Sequence, residues 1–268
     1  YVSKQVRYEY RPIERFSDKD HIIVSDIQNF MEKIFPDDYL RKYMWEHAAS
    51  TLIGTNRNQT FNIYTGCGSN GKSMFVDLMS EALGCLKGTV PSTLITSKRL
   101  AIGQASSEIA QLKGLRYACM NEPSKNDRIN EGILKEITGG DPIQARHLFQ
   151  EMMTFKPQFN LVCCTNHLLD IKAQDEGTWR RIRVCDFMSK FMERPNEDPD
   201  KFPKENYPYQ FKMDKKIDEK FVHWAPIFMS MLVDIAFKTK GNVKDCDIVL
   251  SKSESYREGQ DYLTEFTK

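Results

Sequence analysis

Residues 66–73 read GCGSNGKS, and this motif restricts the possible folds of the chain more than any other segment. It fits the pattern G-x-x-x-x-G-K-[ST], whose glycines let successive backbone N–H groups turn toward one anion. An apolar strand-like run at 61–64 precedes the motif, and an apolar helical pattern at 73–83 follows it. A glycine-rich turn that contains Lys-Ser by chance would need neither neighbour, so the context favours a phosphate-binding loop.

The motif predicts a site for ATP and Mg²⁺. The positive end of the helix that follows the loop favours a bound phosphate group. In loops of this kind the lysine, here Lys72, reaches the β- and γ-phosphates, and the hydroxyl of Ser73 binds Mg²⁺. The predicted nucleotide-binding residues are Gly66, Cys67, Gly68, Ser69, Asn70, Gly71, Lys72 and Ser73.

The middle of the chain alternates apolar strand-like runs with helical patterns, which is typical of an α/β domain with a mostly parallel sheet. Strands are predicted at 61–64, 115–120 and 159–164, and a helix with one apolar face at 129–137. The predicted fold class is therefore α/β, a P-loop NTPase with flanking helices. Three segments are expected: a helical N-terminal segment (1–58), the P-loop ATPase core (59–190) and a mostly helical C-terminal segment (191–268).

Composition narrows the class of protein. The chain is 40% hydrophobic and 28% charged, as in globular proteins, and no apolar run is predicted to span a membrane. Because the net charge is only +1, any basic surface for nucleic acid must be local. The 7 cysteines are scattered and form no C-x-x-C pair, which favours reduced thiols in an intracellular protein. The first residue is Tyr1, so a fragment of a longer protein is expected.

Two predicted strands end in polar side chains suited to phosphate chemistry. Glu122 follows the strand at 115–120, where a carboxylate can hold Mg²⁺ or orient the attacking water, so it is the candidate general base and a metal ligand. Its neighbour Asn121 stands where many motor ATPases carry a second acid. Asn166 follows the strand at 159–164, and its amide can bind the γ-phosphate or that water. Asparagine at a strand end is equally common in turns.

A dense basic cluster, GTWRRIR, occupies residues 177–183. In isolation such a cluster is most often a solvated charged face. In a ring-shaped ATPase, an arginine at this place reaches the nucleotide of the neighbouring subunit and stabilises the transferring phosphoryl group. Arg180 or Arg181 is the candidate arginine finger, and the sequence does not choose between them.

Residues 141–155 read as two short strands around a polar turn near 149–151. Arg146 and His147 are predicted to lie toward the tip, with Phe149 beside them. A basic pair with an aromatic ring can hold a phosphate backbone and stack on bases, so these three residues are the candidate DNA contacts. The alternative is an ordinary hairpin between core strands.

Taken together, the motifs resemble the superfamily 3 (AAA+) helicase domain of the poxvirus-type primase-helicases of nucleocytoplasmic large DNA viruses. The resemblance covers roughly residues 60–190, and its combination of motifs is more specific than the P-loop alone. The motifs that carry it are GCGSNGKS at 66–73, NEP at 121–123, TGGDPI at 138–143, KPQF at 156–159 and DEGTWRR at 175–181.

The resemblance implies a hexameric ring that hydrolyses ATP and unwinds DNA during viral replication, with a primase domain on the same full-length chain. It gives Lys72 and Ser73 the Walker A role, Glu122 the Walker B role and Asn166 the sensor 1 role. Arg180 or Arg181 would be the finger, and Arg146 and His147 the basic positions of the DNA-facing hairpin. The host cytoplasm is the expected location.

Two other functions stay open on the sequence. The chain could be another P-loop enzyme, such as a DNA-packaging ATPase or a nucleotide kinase. It could also be a nucleotide-gated assembly module in which Asn121 has weakened hydrolysis.

Overall fold

A five-stranded sheet, parallel throughout, forms the centre of the protein, with the strand order β2-β3-β6-β1-β7. The computed structural model describes residues 4–96, 106–120, 122–124, 127–172 and 175–265. The strands are β1 (Phe61–Thr65), β2 (Lys87–Val90), β3 (Tyr117–Met120), β4 (Ile143–Ala145), β5 (Met153–Phe155), β6 (Asn160–Cys164), β7 (Ile182–Asp186), β8 (Ser189–Met192) and β9 (Tyr209–Lys212). The helices are α1 (Asp18–Ile34), α2 (Asp38–Ser50), α3 (Lys72–Leu83), α4 (Thr93–Thr96), α5 (Ser107–Ala110), α6 (Glu131–Thr138), α7 (Glu176–Trp179), α8 (Ile217–Thr239) and α9 (Asp247–Glu265).

The predicted α/β class with a parallel sheet is confirmed. Strand β1 lies between β6 and β7, and β6 separates it from β3. Because all five strands run the same way, their carboxyl ends meet at one edge of the sheet, which we call the carboxyl edge, and their starts at the opposite, amino edge. In open α/β sheets ligands bind at the carboxyl edge, so this topology decides where the site lies.

Side chains of β1 alternate between the two faces of the sheet, as the two-residue period of a strand requires. Phe61 and Ile63 join the core that contains α6 and the β4–β5 hairpin. Tyr64 points into the other core, formed with α1, α2, α3 and α8. On that same face Asn62 is buried and accepts a hydrogen bond of 2.6 Å from the hydroxyl of Tyr43 on α2, so its amide is satisfied.

The N-terminal helices are defined by local caps and apolar faces. The Ser17 side chain accepts a hydrogen bond from the backbone N–H of Asp20, and the Asp20 carboxylate accepts one from the backbone N–H of Ser17, a capping box that starts α1. Asp37 caps α2 through the backbone N–H of Leu40. Both helices were predicted, and each buries its apolar residues in the core shared with α3 and α8. Residues of all three predicted segments thus contribute to one core.

Helix α8 corrects one expectation, because its 23 residues are long and apolar enough to cross a membrane by length and composition. A 56% share of its most apolar window is buried inside the protein. Its buried residues, such as Phe228 and Leu232, pack in the core with α1, α2 and α3. This packing is the behaviour of a core helix.

The structure adds elements that the pattern did not predict. Strands β8 and β9 pair in parallel beyond the five-stranded sheet, where a charged linker and helices were expected. Strand β2 forms the sheet edge next to β3 although it contains Gly88 and only one buried residue, Val90. These segments are short and half-exposed, so they carry little of the apolar periodicity on which a sequence prediction depends.

A histidine is enclosed in the core between α2 and β1. His47 is 1% exposed, stacks on Tyr43 and meets the Tyr64 ring edge-on. Its Nε2 atom is buried without a hydrogen-bond partner among the described residues. Burial disfavours the charged imidazolium and lowers the pKa of His47 to about 4.

This histidine predicts a specific acid sensitivity. The folded protein holds His47 neutral, whereas the unfolded chain protonates it below about pH 6.5. Its contribution to stability is therefore present above pH 6.5 and is lost as the pH falls toward 4, an effect of about 3 kcal/mol. His47→Phe should flatten the free energy of unfolding, measured with urea, across this window. The exposed-site control His223→Phe should keep the wild-type slope, and an equal slope in His47→Phe would contradict the assignment.

Candidate nucleotide site

The loop between β1 and α3 has the backbone that a phosphate cradle needs. Gly71 adopts a φ of 87° as the N-cap of α3, and an added Cβ would lie 2.9 Å from Ile34. Gly66 has a φ of 144°, and a Cβ there would lie 2.7 Å from the carbonyl oxygen of Phe187. Both positions therefore require glycine. The Nδ2 atom of Asn70 is buried and has no hydrogen-bond partner within the described part of the chain, so a donor remains for a ligand.

Three predicted catalytic residues meet at the carboxyl edge. The Lys72 ammonium donates to the side-chain oxygen of Asn166 at 2.6 Å and to the carbonyl oxygen of Gly66 at 3.0 Å. The backbone N–H of Asn166 donates to a carboxylate oxygen of Glu122 at 3.0 Å. Partial burial lowers the pKa of Lys72, and the carboxylate of Glu122 acts in the opposite direction. The strand ends thus bring together the residues that the sequence separates by up to 94 positions.

The oxygen atoms near this cluster fit Mg²⁺, which prefers hard oxygen ligands. Ser73 lies exposed in the first turn of α3, and Glu122 is exposed at the end of β3. These two residues are the predicted metal ligands, and both face the carboxyl edge from elements that begin or end there. Asn121, whose amide replaces a second acid in the expected motif, lies outside the described residues.

Strand β8 holds the phosphate loop from behind. The Lys190 ammonium donates to the carbonyl oxygens of Cys67, at 3.3 Å, and Gly68, at 3.1 Å. The backbone N–H of Phe191 donates to the carbonyl oxygen of Ser69 at 2.7 Å. Three consecutive loop carbonyls are therefore fixed from one side. Because C=O and the next N–H point in opposite directions in a trans peptide, the amides of Ser69 and Asn70 are turned to the other side.

The sequence gave no signal for Lys190, because a single lysine after an apolar strand matches no motif. Its role becomes visible only when β8 is seen next to the loop.

The arginines of the basic cluster lie at the opposite, amino edge of the sheet. The carbonyl of Arg181 accepts a hydrogen bond from the backbone N–H of Phe61, the first residue of β1. Arg181 itself is 8% exposed, and its guanidinium donates to the carbonyl of Gly177. Arg180 is exposed and donates to the neutral side chain of Gln59 at 2.8 Å. A strand of this length spans on the order of 15 Å, so neither arginine lies near the phosphate loop of its own chain.

The third arginine of the cluster has a structural partner. Arg183 makes a two-pronged ion pair with Asp245, with N···O distances of 2.6 and 2.8 Å. This pair joins β7 to the segment before α9.

The predicted hairpin forms, with β4 and β5 antiparallel and Ile143 opposite Phe155. Phe149 lies in the turn, 97% exposed, with a φ of 60°. Arg146 is partly buried directly after β4, and its backbone is bonded to Ser106. Arg146 and His147 therefore sit nearer the body of the protein than predicted, and the projecting tip is apolar. The tip contains two further exposed apolar residues that the sequence prediction omitted, Leu148 and Met152.

Comparisons with known proteins agree with this architecture. A family model described as "Family of unknown function (DUF5906)" matches residues 64–181, from the end of β1 to the start of β7. A solved structure, the apo form of the NrS-1 C-terminal region, superposes with a TM-score of 0.62 at 14% identity and covers 94% of this chain and 53% of that one. At this identity the match shows the shared fold alone.

The similar sequences are viral. "Putative helicase L207/L206" of Acanthamoeba polyphaga mimivirus is 36% identical over 99% of this chain and 27% of its own length. "Putative helicase 022R" of Frog virus 3 is 35% identical over 63% of this chain and 18% of its own length. "Putative primase C962R" of African swine fever virus is 27% identical over 89% of this chain and 25% of its own length. The predicted resemblance to viral helicase and primase proteins is confirmed, and the chain spans about a quarter of the length of these relatives.

Lys190 generates a test of the loop geometry. Lys190→Met removes both hydrogen bonds to the loop carbonyls, so we expect the affinity for inorganic tripolyphosphate to fall roughly tenfold. The measurement is isothermal titration in the presence of magnesium.

Lys201→Met is the matched control, since it removes the same charge next to the same ring, Phe202, without a bond to the loop. Equal losses in the two variants would assign the effect to charge alone and contradict the bracing role.

Proposed function

We propose that this chain is the ATP-hydrolysing motor of a DNA helicase that acts in viral DNA replication. It belongs in this proposal to the superfamily 3 group of AAA+ ATPases, works as a hexameric ring and forms part of a longer polypeptide that also carries a primase. The ring would act on single-stranded DNA at the viral replication site in the host cytoplasm. The helicase and primase names of the similar viral proteins support the general activity.

One observation carries the proposal: the phosphate loop and the exposed arginine lie on opposite edges of the same sheet. Lys72, Glu122 and Asn166 lie at the carboxyl edge, and Arg180 lies at the amino edge. An arginine that serves phosphoryl transfer must reach the phosphates, and Arg180 is too far from those of its own chain. A neighbouring copy placed edge to edge would bring the two together, which is the requirement for a ring.

Exposure favours Arg180 over Arg181 as the finger. Arg181 is enclosed and bonded to the Gly177 carbonyl, so its guanidinium shapes the turn before β7. Arg180 is exposed, and within the described residues its guanidinium meets the amide of Gln59 rather than a carboxylate. Its charge is therefore available to a neighbouring subunit.

Each residue at the carboxyl edge has a distinct task in this proposal. Lys72 leaves Asn166 to bind the phosphates, which frees the Asn166 amide for the γ-phosphate or the attacking water. Glu122 accepts the proton of that water and stays oriented by the backbone N–H of Asn166. Mg²⁺, held by Ser73 and Glu122, would supply neutralisation of the phosphate charge.

Mixed rings test the proposal. Lys72→Ala should abolish hydrolysis, and Arg180→Ala should reduce it by about 10³-fold or more, since the finger stabilises the transition state. Mixed in equal amounts, the two variants should recover about a quarter of the wild-type phosphate release, because some interfaces combine an intact loop with an intact finger. Single-stranded DNA should stimulate the wild-type rate.

Arg194→Ala is the control, since Arg194 is an exposed arginine away from both edges, paired with Glu197. No recovery in the mixture, with folded variants that still associate, would exclude a finger acting between subunits. Phosphate transfer to an acceptor without DNA stimulation would instead indicate a kinase, and ring formation without turnover an assembly module.

We also propose that the hairpin tip contacts DNA by stacking, with Arg146 and His147 close to the backbone phosphates. Phe149, Leu148 and Met152 are the exposed apolar residues of this tip. A ring of Phe149 held out by a left-handed backbone conformation is poorly suited to the protein's own core and well suited to an unpaired base.

Phe149→Ala should weaken binding of a labelled single-stranded oligonucleotide by roughly tenfold, because base–aromatic stacking contributes about 1–3 kcal/mol. Fluorescence anisotropy with a non-hydrolysable ATP analogue measures this. Tyr39→Ala, which removes a 74% exposed aromatic ring from α2, should leave the affinity unchanged. Wild-type affinity in Phe149→Ala would rule out the stacking role.

A further inference from the structure

An apolar cavity opens directly onto the phosphate loop. Its volume is about 550 Å³, and its wall includes Ser69 and Gly71 of the loop and Met74, which follows the motif. The remaining wall comes from α1, from the β8–β9 pair and from the start of α8. The cavity therefore joins the two terminal segments of the chain to the nucleotide site, although neither segment carries a recognisable motif.

The cavity has an aromatic and aliphatic interior. Phe30 and Trp224, both at most 5% exposed, meet edge to face at a centroid distance of 5.6 Å and form part of its floor. Phe191 is half-buried, and an added Cβ on Gly71 would lie 3.3 Å from its ring, so this ring packs against the loop backbone. On β9, Phe211 contacts the Phe191 ring at 5.8 Å and holds it in place.

The charged groups of the cavity lie on its rim. Lys212, Asp214, Lys215 and Asp218 are exposed, and Lys215 and Asp214 have ion-pair partners in Glu193 and Lys220. A ligand that fits would thus be flat and apolar on its faces, with polar atoms at its edge toward solvent. A volume of this size is within the range of small-molecule sites.

We infer that this cavity is the nucleobase subsite of the nucleotide site, with the base of a nucleoside triphosphate stacked against Phe191. The inference rests on the proposed function, since it assumes phosphates in the loop. A base attached to those phosphates must lie beside the loop, and the apolar space that begins at Ser69, Gly71 and Met74 meets this requirement. Strand β8 then serves both halves of the ligand, with Lys190 behind the phosphate loop and Phe191 beside the base.

A ligand without a base separates this subsite from the loop. Phe191→Ala should weaken ATP binding by roughly five- to a hundredfold, as expected for the loss of one stacking ring. Its affinity for inorganic tripolyphosphate should stay within about twofold of the wild type, because the phosphate contacts remain. Isothermal titration of the whole chain with both ligands gives the comparison. Phe237→Ala, which truncates an 85% exposed phenylalanine on α8 outside the cavity, is the matched control and should change neither affinity.

A second measurement does not depend on the Phe191 variant. Trp224 lines the cavity, so ATP should quench its fluorescence, tripolyphosphate should not, and Trp224→Phe should remove the quenching.

The outcomes separate the inference from the function. Equal weakening of ATP and tripolyphosphate in Phe191→Ala would show that Phe191 acts through the loop, and unchanged ATP affinity would place the base elsewhere; either result overturns the subsite alone. A wild-type protein that binds neither ligand would overturn the proposed function as well.

Discussion

The outward orientation of three peptide carbonyls, those of Cys67, Gly68 and Ser69, is the constraint on which the nucleotide site depends. A glycine-rich loop is flexible, and its amides form an anion site only when the peptide planes are turned the same way. Lys190 and the backbone of Phe191 impose this orientation from β8. Strand β8 is itself anchored, since the buried Ser189 hydroxyl donates to the carbonyl of Lys33 at the end of α1 at 2.5 Å. The loop therefore rests on the N-terminal segment as well as on β1 and α3.

The sequence predicted the central α/β architecture because its strongest signals are local. The buried runs around Ile63, Cys119 and Val162 read as strands, and the P-loop places a strand and a helix on either side of itself. The convergence of Lys72, Glu122 and Asn166 followed from one rule, that parallel strands end at one edge. The roles of these residues in ATP chemistry remain predictions.

The missed features depend on contacts between distant parts of the chain. Strands β8 and β9 are short, and 16 residues separate the end of one from the start of the other, so no periodicity marks them. Lys190 and Phe191 gain their significance from the position of the loop, more than a hundred residues earlier. The choice between Arg180 and Arg181 was open for the same reason, because neighbouring residues of equal chemistry differ only in burial, which the tertiary structure decides.

The position of the aromatic cavity gives the flanking segments a reason to be part of the motor. Helices α1 and α8 share one core with α3, whose first turn begins at Lys72. A ligand that fills the cavity would touch α1, β8 and α8 together and would raise the cost of separating them. Loss of the γ-phosphate would leave the base contacts in place, whereas release of the whole nucleotide would remove them. In this arrangement the terminal helices respond to occupancy of the site, and the exposed Arg180 at the far edge responds to the state of its neighbour.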